Sequence, residues 1–360
     1  HCSQLLRPAT GTMMKRFALY ATGLLALPAA AIVLASRLSP WPGALLVKHL
    51  FARGDARTSL RLEKHVPAGI SARCGLRYGP GHSELLDLYR RTDAPAGQPT
   101  VVWVHGGGWV GGQRQSVANY LKVLAGNGCT TVALGYATAS RSASYPTPVR
   151  QVNAALEYLR LHATELGIDA QRMILAGSSA GAQISAQVGL LATDVVYARQ
   201  LGIAPSVAST QLRGLMLLSG AFDIHGVGEN WFVNSLLWAY TGKRRFRSDA
   251  QLQLMAITPH VSRRFPPSFI ASGNGDPLQS QARALAARLR LLGVVHHSQL
   301  YPADLQPALP HENQFDLDRA QGRQILQDML VFITRHAGSP TAVASATPAS
   351  GPAAASTAQP

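Results

Sequence analysis

Chemistry first shows in this chain of 360 residues at Gly177, Ser178, Ser179, Ala180 and Gly181. A serine at the centre of G-x-S-x-G, with an apolar run over 173–177 before it and a helical pattern over 180–191 after it, fits a strained strand-to-helix turn. Such a turn lifts the serine hydroxyl clear of the sheet, which makes Ser179 a candidate nucleophile. With 33 glycines in the chain the pentapeptide alone says little; its place between a strand and a helix carries the reading. Upstream stand His105, Gly106, Gly107, Gly108 and Trp109, directly after the apolar run 100–104. Attack on a carbonyl builds negative charge on its oxygen, and backbone N–H groups can be aimed at that charge where no Cβ blocks approach. A three-glycine loop meets that need.

A serine nucleophile also requires a base for its proton and a carboxylate to hold the base in the right tautomer. Asp276 follows the run 269–273 within Gly273, Asn274, Gly275, Asp276 and Pro277, and His311 follows the run 294–300 after a short loop. The order Ser179, Asp276, His311 matches one of the known chain orders of a Ser-Asp-His triad. Asp223, after an earlier strand, and Asp304, in the loop before His311, are the rival carboxylates. Metal chemistry finds less support. His311 and Glu312 begin an H-E-x-x-H pattern, but Phe315 occupies the second histidine's place. His296 and His297 alternate across a strand and cannot both face one ion. The reading therefore includes no metal and no cofactor.

The elements that must position these residues alternate regularly. Strands are predicted over 85–89, 100–105, 130–134, 173–177, 214–219, 269–273 and 294–300, with helices over 117–125, 147–163, 180–191, 281–292 and 322–335. In the helix 147–163, Val149, Val152, Leu156 and Leu159 fall on one face. Alternation of this kind predicts an α/β fold, a mostly parallel sheet with helices on both faces. Ligands bind such sheets beyond the carboxyl ends of the strands, where all four motifs lie.

The HGGGW loop, GSSAG turn, GDP acid loop and HENQF histidine loop together resemble the alpha/beta-hydrolase superfamily. Within it they are similar to hormone-sensitive-lipase-like and BD-FAE-like carboxylesterases, a group near the arylformamidases. The resemblance runs over about 85–335. It implies that Ser179 attacks, His311 acts as base and then acid, and Asp276 orients it. It also implies that Gly107, Gly108 and Ala180 supply oxyanion-hole N–H groups, with His105, Gly106, Gly177 and Gly181 completing the motifs. The expected activity is a cofactor-free serine carboxylester hydrolase (EC 3.1.1) acting through an acyl-enzyme on a small ester. Arylformamidase-type amide hydrolysis on the same triad is the alternative, and a non-catalytic membrane-bound binding protein is the rival from another class. Ser178 departs from the pattern, since many relatives carry Asp before the nucleophile. Trp109, Trp231 and Trp238 are candidate walls of the substrate pocket, although a core helix over the segment around 231–238 is an equal reading.

Composition sets the remaining bounds. Only 14% of residues are charged and 47% are hydrophobic, which excludes a disordered polyelectrolyte. The net charge of +15 invites a nucleic-acid partner, yet residues 1–64 alone hold nine Lys and Arg against two acids, and the run 243–247 has a single aromatic, Phe246, and matches no known nucleic-acid-binding module. No nucleic-acid partner is expected. The excess flanks an uncharged apolar stretch over 17–35, which as a helix would reach roughly 28 Å against a hydrocarbon core of about 30 Å. Lys15 and Arg16 precede it, which favours a single-pass anchor with the catalytic domain on the exported side. A cleaved export signal is the alternative. On this reading 1–12 is an upstream segment and 13–37 the anchor or signal. A membrane-proximal segment over 38–75 follows, its part 44–51 resting on lipid. The hydrolase domain takes 76–336, and 337–360, nearly all Ala, Ser, Pro, Thr and Gly, is a disordered tail. Cys74 and Cys129 form either a disulfide, if the domain is exported, or a pair of buried free thiols.

Overall fold

The apolar runs pair with one another into one eight-stranded sheet, seen in a computed structural model that describes residues 35–227 and 231–338. The strands are β1 (Ile70–Arg77), β2 (Leu85–Arg91), β3 (Gln98–Val104), β4 (Thr130–Leu134), β5 (Ile168–Ser178), β6 (Leu212–Leu218), β7 (Ser268–Ser272) and β8 (His296–Leu300). Their order across the sheet is β1-β2-β4-β3-β5-β6-β7-β8. β1 and β2 run antiparallel to their neighbours, and β4 to β8 are parallel. The central strands are buried on both faces, which is why they read as unbroken apolar runs. In β3, Val101, Val102, Trp103 and Val104 are all fully buried. Each such side chain contributes up to about 1.5–3 kcal/mol.

After β3 the chain steps to β4 on one side and then returns past it to β5 on the other. Strand order therefore reverses at β3 and β5, the place where an α/β sheet leaves a crevice at its carboxyl end. Register sharpens the point. Val104 pairs with Gly177, and Ser178 with Leu218, so the glycine loop and the serine turn leave the sheet side by side.

Nine helices of the described residues have full bounds: α1 (Trp41–Glu63), α2 (Ala118–Gly126), α3 (Thr147–Leu161), α4 (Ala163–Leu166), α5 (Ala180–Thr193), α6 (Val195–Leu201), α7 (Trp231–Thr241), α8 (Gln279–Leu292) and α9 (Ala320–Ala337). One face of the sheet carries the core shared with α3, α5, α7 and α8, among them Val149, Leu156, Ile184, Leu237 and Leu285. The other face packs against α2 and α9 through Tyr120, Leu121, Ile325, Met329 and Phe332.

The structure revises the expectation for 38–75. The sheet already takes in β1 from Ile70, an edge strand too exposed to show as an apolar run. Residues 41–63 form α1, which lies on the domain: Gly43 abuts Ser235 and Trp231 of α7, Asn119 Nδ2 of α2 donates to the Ser59 carbonyl at 3.0 Å, and Leu62 joins the core. Cys74 is exposed and Cys129 buried, both free thiols, with burial pushing the Cys129 thiol up to about 12. The stretch 17–34 and the tail 339–360 lie outside the described residues. Among the described residues no helix is long and apolar enough to cross a membrane.

Candidate active site

Ser179 sits between β5 and α5 with φ 54° and ψ −122°, a strained backbone that L-residues rarely adopt. The strain persists because the surroundings hold it. The Ser179 N–H donates to the Leu218 carbonyl of β6 at 2.9 Å. Both motif glycines are required by close approach: a Cβ on Gly181 would stand 2.1 Å from the Val104 carbonyl oxygen, and one on Gly177 would stand 2.5 Å from Gly181. A larger residue at either position would push α5 off the sheet and carry Ser179 with it.

The glycine loop runs beside this turn. A Cβ on Gly106 would lie 3.3 Å from the Ser179 Cβ, and Gly107 and Gly108 have φ of 112° and 58°. The Gly107 carbonyl accepts from the Val110 and Gly111 N–H groups at 3.2 and 2.8 Å, so the loop is folded back on itself. His105 anchors it rather than reacting. Its ring is buried and stacked on Tyr136 at 4.2 Å, its Nδ1 donates to the Gly106 carbonyl at 2.8 Å, and burial holds its pKa down at about 4. The Tyr136 hydroxyl donates to the His105 carbonyl at 2.8 Å. Ala180 is the buried first residue of α5.

Across β6, the loop after β7 presents Asp276. Its Oδ1 accepts from His311 Nδ1 at 2.9 Å and from the Leu278 N–H at 2.9 Å, and its Oδ2 accepts from the Ser272 hydroxyl at 2.8 Å. Burial works against the Asp276 charge, but the His311 hydrogen bond and charge, with the Leu278 N–H and the Ser219 hydroxyl, outweigh it and hold the carboxyl below its ordinary range. Burial likewise opposes a charged His311, and the Asp276 hydrogen bond with the Glu312 and Asp276 charges prevails, raising its pKa. The rival carboxylates are placed elsewhere. Asp223 Oδ1 caps its own turn through the His225 N–H, and Asp304 is exposed.

Several supporting residues carry no signal that the sequence alone reveals. Asn274 ties the acid loop to the histidine loop, accepting from the Leu309 N–H at 2.8 Å and donating to the Leu305 carbonyl at 2.8 Å. Ser219, at φ 50°, accepts from the Glu312 N–H at 3.1 Å, and Glu312 itself has φ 57°. Behind the turn, Ser178 is fully buried and lines a small chamber with Asp55 of α1, His105 and Glu312. The buried Ser178 hydroxyl has no hydrogen-bond partner among the described residues.

The three tryptophans are spread apart. Trp109 is only 4% exposed, stacks on Tyr240 at 5.4 Å and donates from Nε1 to Gln183 at 3.1 Å, so it is packed into the core and not into a cleft. Trp231 stands exposed at the start of α7, and Trp238 lies under Arg244, 5.6 Å from the ring centroid. The basic run likewise makes local contacts: Lys243 pairs with Asp249, and Arg247 lies over Phe246.

Known proteins match the same span. The BD-FAE family model matches residues 86–289. Esterase LipC of Mycobacterium tuberculosis is 29% identical over 222 residues, 59% of this chain and 54% of LipC, so the chain spans about half that relative's length. An acetyl esterase of Salmonella paratyphi A is 26% identical over 296 residues, 78% of this chain and 85% of the relative. Among solved structures, esterase B from Lactobacillus rhamnosis superposes with a TM-score of 0.72 at 20% identity, covering 83% of this chain and 96% of that one. That likeness establishes the alpha/beta-hydrolase fold.

Proposed function

The chain belongs to the BD-FAE family, and from that premise we propose that it is a serine carboxylester hydrolase working through an acyl-enzyme. The observation that carries the proposal is the 2.9 Å bond from His311 Nδ1 to the buried Asp276. His311 is next in sequence to Glu312, which with the Ser179 Cβ would crowd a Cβ added at Gly106. With Nδ1 held by a carboxylate, the other ring nitrogen is the free base. In the proposed reaction Ser179 Oγ loses its proton to His311 Nε2 and adds to the ester carbonyl. Asp276 stabilises the imidazolium without taking the proton. The N–H groups of Gly107, Gly108 and Ala180 receive the developing oxyanion, the alkoxide leaves with the proton from His311, and water repeats the cycle on the acyl-enzyme.

The names of the relatives favour ester over amide substrates. The N-terminal stretch 17–35 stays in this reading as a membrane anchor or a cleaved export signal, with the domain on the exported side. A panel of p-nitrophenyl esters of graded chain length, run beside an N-formyl aryl amine, tests the proposal. Turnover of the esters, with the amide slower, is the expected result. Preference for the N-formyl amine would move the assignment to an amide hydrolase, and loss of neither activity in Ser179→Ala would overturn it.

A further inference from the structure

The helix α1 hides one side and leaves the other bare. Gly43, Ala44 and Val47 are buried against the domain, whereas Leu45, Leu46 and Leu50 are 62%, 54% and 51% exposed. Leu46 and Leu50 lie one turn apart on the exposed side of the helix, with Leu45 about 100° round from Leu46. Trp231, 52% exposed, packs against Gly43 one turn away, and Phe232 follows it, so two helices build one apolar surface. Soluble domains seldom leave several large side chains bare in one place without a partner.

Charge identifies the partner. Lys48, His49, Arg53, Arg57 and Arg61 lie along the exposed part of α1 against two acids, Asp55, which is turned inward to Ser116, and Glu63 at the helix end. Between α1 and the loops after β3 and β4 runs a groove of about 290 Å³, its apolar wall formed by Trp41, Leu45 and Val110 and its rim by Lys48 and Arg141. Among the described residues neither cation has an acidic partner. Apolar wall and paired cations suit an amphiphile with an anionic head. In the sequence the uncharged apolar stretch 17–34 precedes this helix, with six residues between it and Trp41.

From this we infer that the outer face of α1, with Trp231 and Phe232, docks on an anionic lipid bilayer and presents esters partitioned in that bilayer to the active site. The link to the site is direct: Phe51 of α1 lies against Gly108 of the glycine loop, where an added Cβ would stand 3.1 Å from its ring. Lipid contact on one side of the helix is therefore one side-chain layer from the proposed oxyanion hole. The inference deepens the ester-hydrolase reading and rests on it for the substrate, but not for the docking itself.

The test uses the full chain with vesicles of phosphatidylcholine, alone or mixed with phosphatidylglycerol, containing brominated acyl chains that quench nearby tryptophan. The expected result is quenching by the anionic vesicles well above that by the neutral ones, most of it lost in Trp231→Phe. Combined replacement of Leu45, Leu46 and Leu50 by Ser should remove the quenching and slow hydrolysis of a vesicle-embedded long-chain ester about tenfold. Turnover of a water-soluble acetate ester should change less than about twofold, since none of the three touches the site. Equal quenching in the triple variant, equal quenching by neutral vesicles, or a concentration-dependent dimer that shields the leucines would each overturn the docking face. Soluble esters left untouched while quenching persists would instead sink the hydrolase reading and leave the lipid face standing.

Discussion

The serine turn and the helix α1 flank the same glycine loop and are held by opposite means. At the turn, register does the positioning. Val104 pairs with Gly177, Ser178 with Leu218, and backbone approaches too close for any Cβ lock α5 to β3. Around α1 the holding contacts are few: four buried residues in a 23-residue helix, hydrogen bonds from Asn119 to Ser59 and from the Ser116 hydroxyl to Asp55, and packing of Gly43 on α7 and of Phe51 on Gly108. Groups that must meet within tenths of an ångström are built on the sheet, and the surface that meets a variable partner is laid over it. Reactivity and presentation of substrate should therefore fail separately when each region is altered.

The largest effect should come from the nucleophile. Ser179→Ala should lower kcat by about four to six orders of magnitude in a soluble-ester assay, leaving what binding and the oxyanion hole supply. Ser178→Ala, one residue away and buried behind the turn, should keep most activity; the reverse result would put the nucleophile one residue earlier. Next comes the acid. Asp276→Asn should cost about 10⁴ in kcat near neutral pH by reversing the tautomer of His311, while Asp223→Asn and Asp304→Asn should stay near wild type. Near-normal turnover by Asp276→Asn would break the assignment.

A smaller effect is the position of the acidic limb of the pH profile. His311 is raised above its ordinary value of about 6.5 and must be neutral to act as base, so kcat/KM should climb through a midpoint above that value. Stability follows the same pair with a defined sign. The His311 contribution is full below about 6.5 and is lost as pH rises through its folded pKa, whereas the Asp276 contribution is present above about 3.8 and is lost as pH falls through its depressed one. Melting temperature against pH, in wild type and Asp276→Asn, checks both. The smallest effect belongs to α1. Asn119→Ala should cost about 1 kcal/mol, a fall in Tm of roughly 2–4 °C, with soluble-ester turnover unchanged. A loss of turnover there would show that the helix and the site do not fail separately.

Much of the framework was legible before any coordinates. The runs at 130–134 and 173–177 read as strands because strands buried on both faces need continuous apolar residues, and the helices 147–163 and 180–191 showed through their periodicity. The edge strand β1 did not, since Ile70–Arg77 is half exposed and carries Arg73 and Arg77. Trp109 is a candidate pocket wall by its place after the glycine loop, and residue type alone does not tell a cleft from a core. Only its stacking on Tyr240 and its bond to Gln183 decide for the core.

The sequence by itself determined the chemistry on offer: a serine between close-packed glycines, a glycine loop after a strand, and carboxylates and a histidine at strand ends. Those are local facts, set by the steric demand of the turn and by residue type. That Asp276 and not a rival carboxylate bonds to His311 is visible only in the tertiary structure. Asp276 and His311 are 35 residues apart, and they meet because β7 and β8 are neighbours and Asn274 ties their loops together. The chamber that Ser178 lines together with Asp55 of α1 and Glu312 of the histidine loop likewise exists only in the tertiary structure. No spacing rule reaches across such distances, because the contact depends on strand order, and strand order is fixed by the packing of the whole sheet.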